Sequence, residues 1–291
     1  MTARRLISVD DLPSDDITWI LRRAGEFASG ARPARRAFTA ALLFLSSSLR
    51  TKLGFGTAVA RLGGSAIDVS ERRWDPKMSG AESFEDTLRT VTGMVDVTIV
   101  RAAVDLSAVM HHAVGPVICG GDLRSHPTQA LIDVFAIERL WGPLENVRLA
   151  MVGDMQMRAS RSLLALLSRR PPAELMVVAP PSRSLDVDIS PDLTSRLRNG
   201  SLDDLAGVDV VLMCGLAPSV GTDQLSDEAR QAFVLDGRHL HALSPSSIVL
   251  SPLPVIDEMS STARLDPRTR MFEQSDMSVH VRAAVVESMI G

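Results

Sequence analysis

The chain has 291 residues, 45% apolar and 23% charged, a composition typical of a soluble globular protein with a large core. At roughly 100–200 residues per domain, this length predicts two domains or one large α/β unit. The net charge of −4 argues against a nucleic-acid partner, and the chain has no apolar run of the roughly 20 residues that a membrane span needs. Cys119 and Cys214 cannot form a disulfide framework, and the N-terminal segment lacks the apolar stretch of a secretory signal. We therefore expect a cytoplasmic protein without metal or cofactor.

Short apolar runs alternate along the chain with stretches of helical periodicity. The predicted strands are residues 41–45, 66–69, 97–100, 117–119, 148–152, 175–178, 208–213 and 247–250. Most of these runs are continuously apolar, which is typical of strands buried on both faces of a parallel sheet. Strands that alternate with helices predict βαβ units and therefore an α/β, doubly wound fold.

The predicted elements form two series, the first ending near residue 119 and the second beginning near residue 149. Between them lies a predicted helix from about Pro127 to Trp141, which the Gly142-Pro143 pair ends. The domain boundary should therefore fall within residues 136–146. A last helix, predicted from residue 276, could pack on either domain.

The first candidate functional segment is residues 46–52, SSSLRTK, which follows the strand 41–45 and opens a helix. Such a turn presents unpaired backbone N–H groups and the positive end of the helix dipole, and both favour an anion. Ser48, Arg50 and Thr51 add donors that suit phosphate. Position and composition alone fit equally well a serine-rich helix cap with a surface arginine.

Three further candidates lie at helix starts or strand ends. Arg101 follows a predicted strand, at the edge where open α/β sheets bind ligands. His126 and Gln129 are three residues apart at the start of the connecting helix and so share one face. The segment 251–254, SPLP, has paired prolines that leave carbonyl groups free for a ligand. Taken singly, each candidate also fits a purely structural role.

Taken together and in this order, these residues resemble the aspartate/ornithine carbamoyltransferase family over nearly the whole chain. The matching segments are SLRTK at 48–52, ES and DT within 82–87, VD and VR within 95–101, HPTQALID at 126–133, MVGD at 151–154 and SPLP at 251–254. The resemblance implies a carbamoyl-phosphate domain, residues 1–136, and an amine-acceptor domain, residues 137–275, joined by interdomain helices. It also implies that the helix 276–291 returns to the first domain, and that the protein is a homotrimer with active sites at subunit interfaces.

The implied reaction transfers the carbamoyl group of carbamoyl phosphate to an amine. The resemblance implies three groups of ligands for carbamoyl phosphate: Ser48, Leu49 through its backbone N–H, Arg50 and Thr51 for the phosphate; Thr51, Arg101 and His126 for the carbonyl oxygen; and Gln129 with the backbone carbonyls of Leu253 and Pro254 for the NH₂ group. Donors at the carbonyl oxygen would stabilise the charge that grows there. The predicted catalytic residues are Arg50, Thr51, Arg101, His126 and Gln129, and the departing phosphate would take the proton of the amine.

The phosphate side departs from the family at few positions. Leu49 replaces a threonine, which removes a hydroxyl donor, and Lys52 replaces an arginine. On an ungapped alignment, Pro76, Ser79 and Gly80 stand where the aspartate branch has a serine and two lysines, one of which reaches the neighbouring site. Whether the loop 72–80 crosses between subunits is therefore left open.

The acceptor side departs further. The predicted acceptor residues are Arg158, Gly215, Leu216 and Leu253. Arg158 aligns with an arginine that binds a carboxylate of aspartate, but Gly215 and Ala217 replace an arginine and a glutamine that grip it. Loss of a bidentate carboxylate partner would cost about 2–5 kcal/mol. We therefore predict an acceptor that is neither aspartate nor ornithine, in a biosynthetic pathway.

Two alternatives compete with this hypothesis. An aspartate carbamoyltransferase of pyrimidine biosynthesis with a rebuilt acceptor pocket would make carbamoyl aspartate. A catalytically silent paralogue would have a structural or regulatory role, although the retained Arg50, Arg101 and His126 argue against it. A dinucleotide-binding oxidoreductase is remote, because residues 152–154 contain a single glycine and no GxGxxG.

Overall fold

The computed structural model describes residues 4–33, 36–69, 82–185, 188–216 and 225–291. The chain divides into two compact units: unit 1 comprises residues 1–131 and 277–291, and unit 2 comprises residues 132–276. Each unit contains a five-stranded sheet in which every strand pair is parallel. This confirms the predicted α/β fold. No helix in the described ranges has the length and apolarity of a membrane span.

Unit 1 is built around the sheet with strand order β1-β5-β4-β2-β3. Its strands are β1 (Arg5–Leu6), β2 (Thr39–Phe44), β3 (Ser65–Val69), β4 (Val97–Arg101) and β5 (Val117–Cys119). The helices wholly within it are α1 (Ser14–Ala28), α2 (Leu49–Arg61), α3 (Phe84–Thr92) and α4 (Leu106–Val109). Because β2, β4 and β5 are neighbours and parallel, the loops that follow them meet at one edge of the sheet.

Two helices extend across the division between the units. α5 (Pro127–Leu140) begins in unit 1, and its residues from 132 onward belong to unit 2. α11 (Met271–Ile290) begins in unit 2 and continues into unit 1 from residue 277. The last helix therefore starts at Met271, earlier than predicted, because the N–H of Gln274 already donates to the carbonyl of Arg270.

Unit 2 has the strand order β10-β9-β6-β7-β8. Its strands are β6 (Arg148–Gly153), β7 (Glu174–Val178), β8 (Leu197–Asn199), β9 (Val210–Gly215) and β10 (Ile248–Leu250). Its remaining helices are α6 (Arg158–Leu167), α7 (Pro191–Arg196), α8 (Asp227–Gln231), α9 (Gly237–Ala242) and α10 (Ser261–Leu265). Here the loops after β6, β9 and β10 meet at one sheet edge.

Burial follows the apolar runs at the sheet centres. In β4, Val97, Ile99 and Val100 are fully buried, as expected for a central parallel strand covered on both faces. The edge strands are exceptions: the last two residues of β8 are exposed, and so are the first four residues of β3. The expectation of a strand buried on both faces is wrong there, because β3 is the edge strand and pairs with β2 alone.

Candidate active site

The residues predicted to hold carbamoyl phosphate in unit 1 lie on the loops that follow β2, β4 and β5. Residues 48–51 follow β2, Arg101 ends β4, and His126 and Gln129 follow β5. The fold therefore brings the three segments to adjacent strand ends of one sheet.

The start of α2 has the features of an anion-binding turn. Ser48 precedes the helix in an extended conformation, and its side chain makes no capping hydrogen bond. The Leu49 side chain is 75% exposed, so this position offers only its backbone N–H. Arg50 is exposed, yet partial desolvation by the neighbouring protein lowers its pKa, while Thr51 is buried. Hydroxyl, N–H and guanidinium donors thus lie together within one helical turn.

Arg101 and His126 approach each other at Gly121. Arg101 Nη1 donates to the carbonyl of Gly120 at 2.8 Å. A Cβ atom on Gly121 would lie 2.5 Å from Arg101 Nη1 and 3.3 Å from His126 Cδ2. Gly121 also has a φ of 114°, which disfavours other residues. The glycine is therefore what allows the guanidinium and the imidazole to share this space.

His126 is held at the start of α5 by its backbone. Its carbonyl accepts from the N–H groups of Gln129 at 2.9 Å and Ala130 at 3.3 Å. The imidazole is 7% exposed, and Nδ1 lies 3.5 Å from the hydroxyl of Thr128. Gln129 is also buried. The two predicted side chains are thus fixed in a protected position one helical turn apart.

Asp122 holds the loop before His126 and was missed by the sequence analysis. Its buried carboxylate accepts from the N–H groups of Leu106 at 3.1 Å, Arg124 at 2.7 Å and Ser125 at 2.5 Å. In the sequence, this role could have been inferred from the position of Asp122, two residues after Gly120 at the end of β5. Asp122 therefore shapes the loop through backbone hydrogen bonds.

In unit 2, two glycines bring β6 and β9 into close contact at the corresponding edge. The N–H of Asp154 donates to the carbonyl of Gly215 at 2.8 Å, and a Cβ on Gly153 would collide with that same carbonyl. Leu216, the next residue, is buried. The contact requires a glycine at 153, and Gly215 itself has a φ of 78°, which favours glycine there.

The other predicted acceptor residues lie on neighbouring loops. Arg158 is the first residue of α6 and is half-buried. Leu253 follows β10 with a φ of 55° and precedes the cis peptide bond to Pro254. Its N–H donates to the hydroxyl of Ser251 at 3.2 Å. Ala217 and the departures at 76, 79 and 80 lie outside the described residues.

A hydrogen-bonded chain that the sequence analysis also missed supports the loop after β10. Gln274 Oε1 accepts from the N–H of Ser251 at 2.9 Å, and its Nε2 donates to Asp133 Oδ1 at 2.7 Å. All three residues are 1% exposed. The loop that carries Leu253 is therefore anchored by Gln274.

A second buried carboxylate holds the same loop further on. Glu258 Oε2 accepts from the N–H groups of Ile256 at 2.9 Å and Asp257 at 3.1 Å, while its other oxygen faces Gly215. Cys214, which precedes Gly215 in β9, is no candidate nucleophile, because burial raises the pKa of its thiol to about 12. Across the described ranges, no cluster of three or more His, Cys, Asp or Glu side chains suits a metal ion.

Comparisons with known proteins cover both halves of the chain. Residues 4–139 match the carbamoyl-phosphate-binding domain of aspartate/ornithine carbamoyltransferases, and residues 145–289 match their aspartate/ornithine-binding domain. The chain is 30% identical to the aspartate carbamoyltransferase catalytic subunit of Archaeoglobus fulgidus, over 99% of both chains.

Solved structures give the same result. The catalytic subunit of M. jannaschii aspartate transcarbamoylase is 28% identical, with a TM-score of 0.82 over 99% of this chain and 98% of that one. Trypanosoma cruzi aspartate transcarbamoylase, solved with carbamoyl aspartate and phosphate, shares the fold at 24% identity, with a TM-score of 0.87 over 100% and 97%.

The prediction of an acceptor other than aspartate or ornithine is wrong. Relatives named aspartate carbamoyltransferase match over 88–99% of the chain, and the acceptor half that motivated the prediction matches the aspartate/ornithine-binding domain. The error was to judge the acceptor from Gly215 and Ala217 in a single loop, although several loops supply groups to a strand-end site. From these matches and the two-unit fold, we conclude that the chain belongs to the aspartate/ornithine carbamoyltransferase family and is a carbamoyltransferase.

Proposed function

We propose that the protein transfers the carbamoyl group of carbamoyl phosphate to the amino group of aspartate, giving carbamoyl aspartate and phosphate, as in pyrimidine biosynthesis. The observation that carries this proposal is the full-length similarity to an aspartate carbamoyltransferase catalytic subunit, 30% identical over 99% of both chains. The similarity includes unit 2, the part that would bind the amino acid.

In this proposal, the loop after β2 holds the phosphate. The Ser48 hydroxyl, the N–H of Leu49, the Arg50 guanidinium and the Thr51 hydroxyl would donate to its oxygens. The support is their common position at the start of α2, where the helix dipole adds to the attraction of an anion. The phosphate becomes the leaving group, so these donors would also stabilise the charge it takes away.

The chemical step needs stabilisation of the carbonyl oxygen. The aspartate nitrogen attacks the carbonyl carbon, a C–N bond forms, and the C–O bond to phosphate breaks. Arg101 and His126, which meet at Gly121, would donate to the oxygen as negative charge grows on it, together with Thr51. The amine proton passes to the departing phosphate.

The carbamoyl NH₂ and the acceptor complete the proposed site. In unit 1, Gln129 would accept from the NH₂ group. Arg158, at the start of α6, would bind one carboxylate of aspartate as a bidentate partner, with Gly215 and Leu216 shaping the space beside it. A homotrimer and a cytoplasmic location belong to the same proposal, and light scattering would test the first.

The test is formation of carbamoyl aspartate from carbamoyl phosphate and aspartate, with ornithine as the competing acceptor. We expect aspartate to be the better acceptor. Arg158→Met should raise KM for aspartate about 10–100-fold with little change in KM for carbamoyl phosphate. Arg196→Met, which removes a cation paired with Asp192 on α7, is the matched control and should leave both constants unchanged. Carbamoylation of ornithine but not of aspartate would contradict the proposal.

A further inference from the structure

An arginine is buried beneath the proposed phosphate loop without a carboxylate partner. Arg282, on α11 in unit 1, is 2% exposed. Its Nη1 donates to the hydroxyl of Ser278, and its Nε has no hydrogen-bond partner. Among the residues that the structure describes, no aspartate or glutamate forms an ion pair with it. A lone buried cation disfavours folding, so its presence calls for a functional explanation.

The guanidinium of Arg282 packs directly against the second turn of α2. A Cβ on Gly54 would collide with Nη1 and would lie 2.9 Å from Cζ. Cζ is also 5.6 Å from the ring centre of Phe55, which is fully buried. Gly54 and Phe55 follow the proposed phosphate ligands on the same helix, so the charge sits against the element that would hold the anion.

The neighbouring charges of Arg282 are positive. Burial lowers the pKa of Arg282 to about 10, and the charges of Arg50 and Arg101 contribute to the decrease. The guanidinium groups of Arg50 and Arg101 thus both repel that of Arg282. A doubly charged phosphate bound by Arg50 would relieve this repulsion, and a low-dielectric surrounding strengthens the attraction.

We propose that Arg282 is a third cation of the phosphate site, a positioning residue that attracts and orients the phosphate dianion from beneath α2 without touching it. This inference rests on the proposed carbamoyl-phosphate site of unit 1. It does not depend on aspartate being the acceptor. Its role differs from that of Arg50, which would contact the phosphate directly.

Calorimetric titration of the full-length protein with inorganic phosphate tests the inference. Arg282→Met should weaken phosphate binding about tenfold, whereas Arg282→Lys, which keeps the charge, should restore most of the affinity. Arg22→Met removes an exposed cation of unit 1 that pairs with Glu26, and it should bind phosphate like the wild-type protein.

Steady-state kinetics distinguish an electrostatic role from a structural one. Arg282→Met should raise KM for carbamoyl phosphate about tenfold while kcat changes less than about threefold, because the reacting atoms keep their ligands. Gly54→Ala should weaken phosphate binding by displacing Arg282. The double variant should bind no more weakly than Arg282→Met alone, since both changes act through one group.

The outcomes separate this inference from the function it rests on. Equal phosphate affinity of wild-type protein and Arg282→Met would overturn the inference alone. So would a loss in Arg282→Met that Arg282→Lys fails to restore. If the wild-type protein does not bind phosphate, the anion site of the proposed function is overturned together with it. Phosphate binding without carbamoylation of aspartate would overturn the proposed acceptor and leave the phosphate test intact.

Discussion

The two units present the same edge of a parallel sheet, but they place different charges there. In unit 1, Arg50, Arg101 and Arg282 gather near the loops that follow β2, β4 and β5. In unit 2, the buried carboxylates of Asp133 and Glu258 accept hydrogen bonds near the corresponding edge, from Gln274 and from the loop after β10 respectively. Both edges use buried carboxylates to hold their loops, such as Asp122 in unit 1 and Glu258 in unit 2, and the cations near the edge of unit 1 are what suits that edge to a phosphate.

The carboxylates of unit 2 act mainly on the shape of their loops. Asp133 holds Gln274, which in turn accepts from the backbone of Ser251, and Glu258 accepts from two successive N–H groups. Substitution of the cations at the phosphate edge should therefore affect catalysis, and substitution of the groups that hold the loop after β10 should affect loop geometry and stability.

The largest effect is expected for Arg101→Met. This change removes a cation that would donate to the carbonyl oxygen, and loss of one such donor costs about 100–1000-fold in kcat. Carbamoyl aspartate formation at saturating substrate measures it. Arg89→Met, on the exposed surface of α3, is the control and should retain wild-type activity. A kcat within tenfold of the wild-type value would show that Arg101 does not stabilise the transition state.

Gln274→Met should reduce stability, in contrast to Arg101→Met, whose main effect is on kcat. It leaves the N–H of Ser251 and a carboxylate oxygen of Asp133 without their buried partner, at a cost of about 2–4 kcal/mol. Thermal unfolding should show a lower Tm for Gln274→Met and no shift for Gln231→Met, which lies exposed on α8. An unchanged Tm would remove Gln274 as the anchor of the loop.

Gly121→Ala tests how closely Arg101 and His126 must approach. The added Cβ would crowd Arg101 Nη1, so we expect about a 10–100-fold loss of kcat from misplacement of the donors. The control is Gly142→Ala, because Gly142 also has a positive φ but has open space around its Cβ position. Both variants should lose about 1 kcal/mol of stability, and Gly121→Ala alone should lose activity. Equal activities would show that crowding at Gly121 does not matter.

The sequence predicted what depends on local pattern and on order along the chain. Continuous apolar runs located the central strands, such as β4 at the predicted position, and the strand-end motifs located Arg101 and His126. Exposure of β3 depends on which strand lies at the edge, which periodicity does not encode. Arg282 was missed because its significance arises from packing against Gly54, more than 200 residues away along the chain. An arginine between the apolar residues of HVRAAVV was the available signal.

The acceptor prediction failed for a related reason. The sequence analysis interpreted Gly215 and Ala217 as the loss of two side chains that would bind aspartate. The structure gives Gly215 a φ of 78°, a backbone conformation that favours glycine, and places its Cβ position 3.4 Å from Glu258 Oε1. A residue at a sheet edge can thus differ from its family for packing reasons while the activity of the family is kept.

The smallest effect is expected for the stability of Arg282→Met without ligand. Unlike Gln274→Met and Gly121→Ala, this substitution should not lower the free energy of unfolding. In the folded protein, Arg282 is a buried cation beside two other cations, and its pKa is held below that of an unfolded arginine. Near neutral pH its charge therefore disfavours the folded state, and an apolar residue of similar length should leave stability unchanged or raise it by up to about 2 kcal/mol.

Added phosphate should reverse the order of stability of the wild-type protein and Arg282→Met. The wild-type protein would gain more stabilisation because it binds the anion more tightly, so its Tm should rise further than that of Arg282→Met at the same concentration. Thermal unfolding without inorganic phosphate measures the stability of each free protein, and unfolding with phosphate measures the stabilisation that the anion adds. A Tm of Arg282→Met clearly below that of the wild-type protein in the absence of phosphate would mean that Arg282 stabilises the fold. Its burial would then have a structural cause, and the positive charge at the edge of unit 1 would be a by-product of packing.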